Sequence, residues 1–220
     1  MSVLNQKEDG YSEVIPLWKG ETVVLIGGGP SLTQHQIDVV RAFDVCTIAI
    51  NDAYSLAPWA DVCYFADAKW WGWHKDKEDF KNFVGQKCSI QTSKENIKDS
   101  CVHFIKNAHE PYHGFGLSLE PDRIVTGRNS GYQALNIAVL AGAKKIVLLG
   151  FDGASDVNGR SHWFGEHPSP VNPSAYEEYR RAFSAGENAI KDAGVRVINC
   201  SPGSKIDSFE KMDLEEALAE

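Results

Sequence analysis

Apolar residues along the chain fall into short β-branched runs that alternate with stretches of helical rhythm. Thr22–Ile26 is almost continuously apolar, as a strand buried on both faces reads, and it ends in Gly27-Gly28-Gly29-Pro30-Ser31. Beyond that turn, Ile37, Val40 and Ala42-Phe43 keep a helical spacing. Ser31, with Gln34 three residues on, forms a capping-box signature. The same reading predicts strands at 45–50, 61–65, 87–92, 101–105, 145–151 and 195–200, and helices at 69–83, 129–143, 175–193 and 214–219. Strands alternating with helices predict an α/β fold: a Rossmann-like, mostly parallel sheet with helices on both faces. Residues 106–122 and 152–173 are polar or Gly/Pro-rich and read as loop excursions, and 1–20 read as a surface-lying arm. The remaining 21–220 form one domain.

Open parallel sheets bind ligands at the carboxyl ends of their strands, where the strand order reverses. Polar residues follow the strands at that edge: the glycine turn, Asn51-Asp52, Asp67, Asp152-Gly153 and 201–204. The glycine turn is neither GxGxxG, because Leu32 occupies the last position, nor a P-loop, which needs GK[ST]. It still brings a helix start and close backbone approach to one place, and both suit a phosphate. Gly127-Arg128-Asn129-Ser130-Gly131 is a second such turn, with Arg128 available to a phosphate. Either turn also reads simply as a tight strand-to-helix connection.

The segment Ser161-His162-Trp163-Phe164-Gly165-Glu166-His167-Pro168 concentrates two histidines, a carboxylate and two aromatics in an otherwise polar loop. Two histidines five apart on a loop do not make the HExxH face of a zinc helix. A general acid or base fits better; the alternative is a loop docked by its aromatics. Trp70, Trp71 and Trp73 read as core, with base or sugar stacking as the functional alternative. Asp52, Asp67 and Asp152 end strands and are the residues that would share Mg²⁺ with phosphate oxygens if a metal is used; the alternative is that each caps a helix or hydrogen-bonds a ribose.

Composition narrows the classes. The chain has 220 residues, a net charge of −8 and 24% charged residues, ordinary for a globular domain. An acidic protein lacks the basic face that stable duplex-DNA binding needs. No apolar run reaches the roughly 18 residues of a membrane span and no signal peptide is evident, so the expected location is the cytoplasm of a bacterium or a phage-infected host. Cys46, Cys63, Cys88, Cys101 and Cys200 show no CxxC spacing. The first four sit in or beside apolar runs, which predicts buried, inert thiols.

The motifs together resemble a known group. VVLIGGGPSL looks like the strand-GNGPSL opening turn of the bacterial sialyltransferases of glycosyltransferase family 42, and FDVCTIAIN is similar to their second strand. DVCYFADAKWW resembles the third strand, NSGYQALNIAVLAGAKKIVLLGFD the [TS]-S-G helix and following strand, SHWFGEHP the catalytic-histidine loop, and VRVINCSPGSKIDSFEKM the closing strand and turn. The order holds over about residues 22–212. Motility-associated glycosyltransferases and 6-hydroxymethylpterin diphosphokinases share this core. Short phage-encoded relatives resemble the chain most in length and wording.

The resemblance implies a transferase using a CMP- or other nucleotide-sugar donor, an unidentified acceptor and no metal. Gly27, Gly28, Gly29, Pro30 and Ser31 would hold the nucleotide, and Asn51 its ribose or phosphate. Ser130 and Gly131, beside Arg128 and Asn129, would line the cytidine side. Asp152 would close the site, with Pro202, Gly203 and Ser204 near the base and Asp67 as a further nucleotide contact. His167 would deprotonate the acceptor, with His162 and Glu166 positioning it.

The chain also departs from the family. Gly28 replaces the GNG asparagine, Arg128 is displaced by one position, 153–161 has no tyrosine, and the catalytic histidine aligns with Glu166 or, after an insertion, His167. Asp67, where the family keeps asparagine, brings in an ATP/Mg²⁺-dependent diphosphokinase or nucleotidyl transferase as one alternative. A non-catalytic nucleotide sensor or sponge is another. Little chain is left for an acceptor domain, so 68–122, 153–173 or a second copy in a homo-oligomer would bind the acceptor.

Overall fold

A computed structural model describes residues 2–109, 114–165 and 173–220. The strands are β1 (Leu4–Gln6), β2 (Ser12–Val14), β3 (Thr22–Ile26), β4 (Cys46–Ile50), β5 (Val62–Tyr64), β6 (Gln86–Ile90), β7 (Val102–Asn107), β8 (Arg123–Ile124), β9 (Lys145–Leu149), β10 (Arg196–Asn199) and β11 (Glu210–Lys211). The helices are α1 (Gln34–Phe43), α2 (Ala68–His74), α3 (Glu78–Lys81), α4 (Ser130–Leu140), α5 (Pro173–Asp192) and α6 (Leu214–Ala219). Nine strands form a parallel sheet in the order β11-β10-β9-β3-β4-β5-β6-β7-β8. This is the expected α/β, Rossmann-like architecture. The chain runs outward from β3 to β8, then returns through α4 to place β9 on the other side of β3. The strand order therefore reverses between β3 and β9.

Side-chain alternation along β3 explains why both faces are covered. Val23 and Leu25 point to one face with Tyr132 and Leu135 of α4 and Phe183 of α5. Val24 and Ile26 point to the other with Ile37 and Val40 of α1, Trp70 and Trp71 of α2, and Leu214 and Leu218 of α6. Each fully buried aliphatic side chain contributes about 1.5–3 kcal/mol. Helix α4 is buried from Tyr132 to Val139, as its small, apolar sequence predicts. Its polar Asn136 ties down the segment after β7, accepting from Ser118 N at 3.1 Å and Val125 N at 3.0 Å.

Several local expectations are corrected. The N-terminal residues are more than a surface arm: β1 and β2 pair antiparallel, and Val3, Leu4, Val14 and Trp18 enter the core. Isolated apolar residues in three-residue strands are too sparse to register as a period. The capping box of α1 lies two residues later than expected, between Thr33 and Gln36, because Ser31 is drawn onto Asp152 instead. The helix expected over 69–83 is two helices, α2 and α3, separated at 75–77 by a charged Lys-Asp-Lys segment. Cys101 is exposed and Cys46 half-buried, while Cys63, Cys88 and Cys200 are buried.

Candidate active site

A cleft of about 850 Å³ opens at the carboxyl edge of the sheet, over the point where the strand order reverses. It is lined by Gly27, Gly28, Gly29, Asn51, Asp67, Arg128, Asn129, Ser130, Gly131, Asp152 and His162, so most of the residues singled out from sequence converge there. The sheet explains the convergence: β9, β3, β4 and β5 are consecutive neighbours, and each is followed by one of these turns.

The glycine turn commits amides to the neighbouring strand end. Gly27 N donates to Leu149 O at 2.7 Å, Gly29 N to Gly150 O at 2.8 Å, and Ser31 N to Asp152 Oδ1 at 3.2 Å. These bonds stitch β3's end to β9's end. A Cβ on Gly27 would lie 2.7 Å from Gly150 O, and one on Gly29 would overlap the Asp152 carboxylate. Two of the three glycines therefore serve close strand packing, with Gly28 facing the cleft.

Above Gly28 sits the histidine loop. His162 Nδ1 lies 3.2 Å from Gly28 O, and Trp163 N donates to the same oxygen at 3.2 Å. A Cβ at Gly28 would come within 3.3 Å of His162 Nδ1. The imidazole thus occupies space that a side chain at 28 would claim. Its ring stacks on Phe164 at 4.9 Å and 4°, while Trp163 packs against the core cluster beneath α1 and α2. Asp156 stiffens the approach, accepting from Asn158 N at 2.9 Å and Arg160 N at 2.8 Å. Aromatic docking and a cleft-facing histidine hold together here. Glu166 and His167 lie outside the described residues.

On the opposite wall, Asn129 caps α4, accepting from Tyr132 N at 2.7 Å. The expected phosphate cation, Arg128, pairs with Glu178 of α5 at 2.6 Å. Arg128 has φ +56° and Asn51 φ +51°, so two of the three left-handed non-glycine residues among those described line this cleft. Such strain gathers at functional sites.

Three carboxylates behave differently. Burial pushes Asp152 up to about 6, against the lowering effect of its hydrogen bonds from Ser31. Asp67 caps α2, accepting from Lys69 N at 2.7 Å. Asp52 accepts from Trp70 Nε1 at 2.8 Å and faces His74 Nε2 at 3.3 Å. Burial would raise Asp52, but the bonds from His74 and Trp70 hold it below the ordinary carboxylate range. Trp70 and Trp71 are core, both stacked on Phe65. As for a shared cation, Asp67 follows β5 and Asp152 follows β9, with β3 and β4 between them. Both carboxylates are already engaged by neighbours, Asp152 by Ser31 and Asp67 by the amide of Lys69. Among the described residues no cluster of three or more His, Cys, Asp or Glu is gathered to hold a metal.

Pro30, Ser31, Pro202, Gly203 and Ser204 do not line the cleft. Ser204 is buried, donating to Phe151 O at 2.7 Å and accepting from Asn199 Nδ2 at 2.9 Å, so it pins the turn after β10 and leaves Ile206 to reach the cleft. Conversely, Asp52, Thr92, Ser93, Tyr176 and Tyr179 line the cleft without having been singled out as site residues, apart from Asp52 as a metal candidate. Thr92 and Ser93 follow β6, and the tyrosines come from α5. None carries a motif; only the strand order places them. Among the described residues no helix is long and apolar enough to cross a membrane. No protein-family model matches the chain, and no curated protein sequence matches it.

Proposed function

We propose that the protein is a nucleotide-dependent transferase of the glycosyltransferase family 42 type, moving a glycosyl group from a CMP- or other nucleotide-sugar donor to an acceptor hydroxyl. The observation that carries this reading is the placement of His162 directly over Gly28 in a cleft at the reversal of strand order, where α/β sheets take nucleotides. The donor would lie along the ends of β3, β4 and β9 with its phosphate toward Arg128. On this reading Arg128 exchanges Glu178 for the leaving phosphate as charge develops there. His167 would take the acceptor proton, with His162 and Glu166 holding it in place, and the nucleotide would leave as the glycosyl bond re-forms on the acceptor oxygen.

The test is release of free nucleotide from CMP-, UDP- and GDP-sugars, with and without a chelator. The expected result is chelator-insensitive release from one donor, abolished by His167→Ala with nucleotide affinity kept within a few-fold. A nucleotide that binds while no donor is cleaved would favour the sensor or sponge instead. Unchanged turnover in His167→Ala would remove that residue's role.

A further inference from the structure

Among the described carboxylates that line the cleft, Asp52 is held by side chains on both oxygens. Trp70 Nε1 donates to Oδ2 at 2.8 Å, and His74 Nε2 stands 3.3 Å from Oδ1. His74 is itself fixed: it is 5% exposed, stacked on Trp70 at 4.1 Å and 11°, and bonded through Nδ1 to Tyr54 Oη at 2.9 Å. Because a carboxylate only accepts, this chain makes Nε2 the donor toward Asp52. Each Asp52 oxygen keeps a further lone pair, and the residue lines the cleft with its side chain 18% exposed. A rigid, ionised acceptor with nothing to donate suits hydroxyl groups and repels phosphate.

Its place in the sheet says which hydroxyls. β4 pairs with β3 in register, Ile26 opposite Ala49, so Asn51-Asp52 lies about one strand spacing, ~4.8 Å, from the glycine turn. An acidic residue at the end of the second strand of a βαβ unit, some 20 residues beyond its glycine turn, is positioned for the ribose of a bound nucleotide. Here the separation from Gly29 to Asp52 is of that order. Asp67, at the next strand end, already accepts from the amide of Lys69.

We infer that Asp52, held by Trp70 and His74, reads the ribose diol of the bound nucleotide, so that the site takes ribonucleotides and rejects 2′-deoxynucleotides. This rests on the nucleotide reading above. The experiment compares the four ribonucleoside 5′-monophosphates with their 2′-deoxy counterparts by titration calorimetry, on the wild-type chain and on Asp52→Ala.

Losing a hydroxyl bond to a charged acceptor should weaken binding about 10- to 100-fold. The expected result is that deficit for the deoxy form of whichever base binds, shrinking to within about twofold in Asp52→Ala. If Asp52→Ala does not fold, the near-isosteric Asp52→Asn should narrow the gap several-fold, and the wild-type comparison stands without either variant. Equal affinity for ribo and deoxy forms overturns the assignment while leaving nucleotide binding intact. So does a ribo preference that Asp52→Ala preserves. If none of the eight nucleotides binds, the nucleotide reading itself fails and this assignment falls with it.

Discussion

Ser31 holds both oxygens of Asp152, its amide donating to Oδ1 at 3.2 Å and its hydroxyl to Oδ2 at 3.0 Å. This pair locks the glycine turn after β3 onto the end of β9, across the line where the strand order reverses. Burial nevertheless outweighs both bonds and pushes Asp152 up to about 6. The fold thus keeps a carboxylate at the carboxyl edge of its sheet at a cost in stability.

The sign of that cost sets the first prediction. A folded-state pKa near 6, above the ordinary carboxylate value of 3.8, means that the folded state holds the proton more tightly. The protonated form favours folding, so stability falls as pH rises from about 4 to 6 and stays lower above. Asp152→Asn removes the charge and keeps an acceptor for the Ser31 amide. It should be more stable than wild type by about 1–2 kcal/mol at pH 7.5 and by little at pH 4, as read by urea unfolding. A loss of stability at pH 7.5 would contradict this.

Two glycines should respond oppositely to alanine. At Gly29 a Cβ would overlap the Asp152 carboxylate and lie 2.6 Å from Gly150 O, and backbone cannot yield cheaply. Gly29→Ala should cost about 3 kcal/mol or more. Gly72 sits inside α2 with nothing within 4 Å of its Cβ direction. Gly72→Ala should stabilise by about 0.5–1 kcal/mol. Thermal melts of the two variants check the pair, and equal effects would contradict the packing described.

Trp70→Phe keeps the ring in the core but removes the indole donor to Asp52. At pH 7 it should cost about 1.5–3 kcal/mol, because one bond to an ionised group is lost. Asp52 has a depressed folded pKa, so its stabilisation is present above the unfolded value and fades as pH falls through the folded one. The penalty for Trp70→Phe should therefore shrink in acid. A penalty independent of pH would mean that only packing was lost.

The Arg128–Glu178 pair is half-exposed, at 49% and 34% side-chain exposure, so breaking it should change stability by less than about 1 kcal/mol. Glu178→Gln frees the guanidinium and should tighten nucleotide binding a few-fold, whereas Arg128→Ala should weaken it about tenfold. Identical affinities in both variants would remove Arg128 from the phosphate site.

Legibility in the sequence followed burial and length. Thr22–Ile26 and the strand at 145–149 were plain because strands covered on both faces are runs of branched apolar residues, and α4 because it is buried almost all round. β8 and β11, two residues each, leave no period to detect. In the site, the turns after β3, β4 and β5, the turn at 127–131 and Asp152 were legible because each interrupts an apolar run with glycine or an acid. Thr92, Ser93, Tyr176 and Tyr179 were not, since ordinary residues reach the cleft only through the order of strands. Ser204 misled because a polar residue after a strand bonds to neighbouring backbone as readily as to a ligand.

The most direct measurement of the central claim is a thermal-shift panel of CMP, CDP, UDP, GDP, ADP and ATP, each with and without Mg²⁺. Ligand that binds only the folded state raises the melting temperature by mass action. One base should stand out, with a shift that Mg²⁺ does not change and that Arg128→Ala reduces. No shift with any of the six would contradict nucleotide binding, and a shift that appears only with Mg²⁺ would contradict the metal-free site.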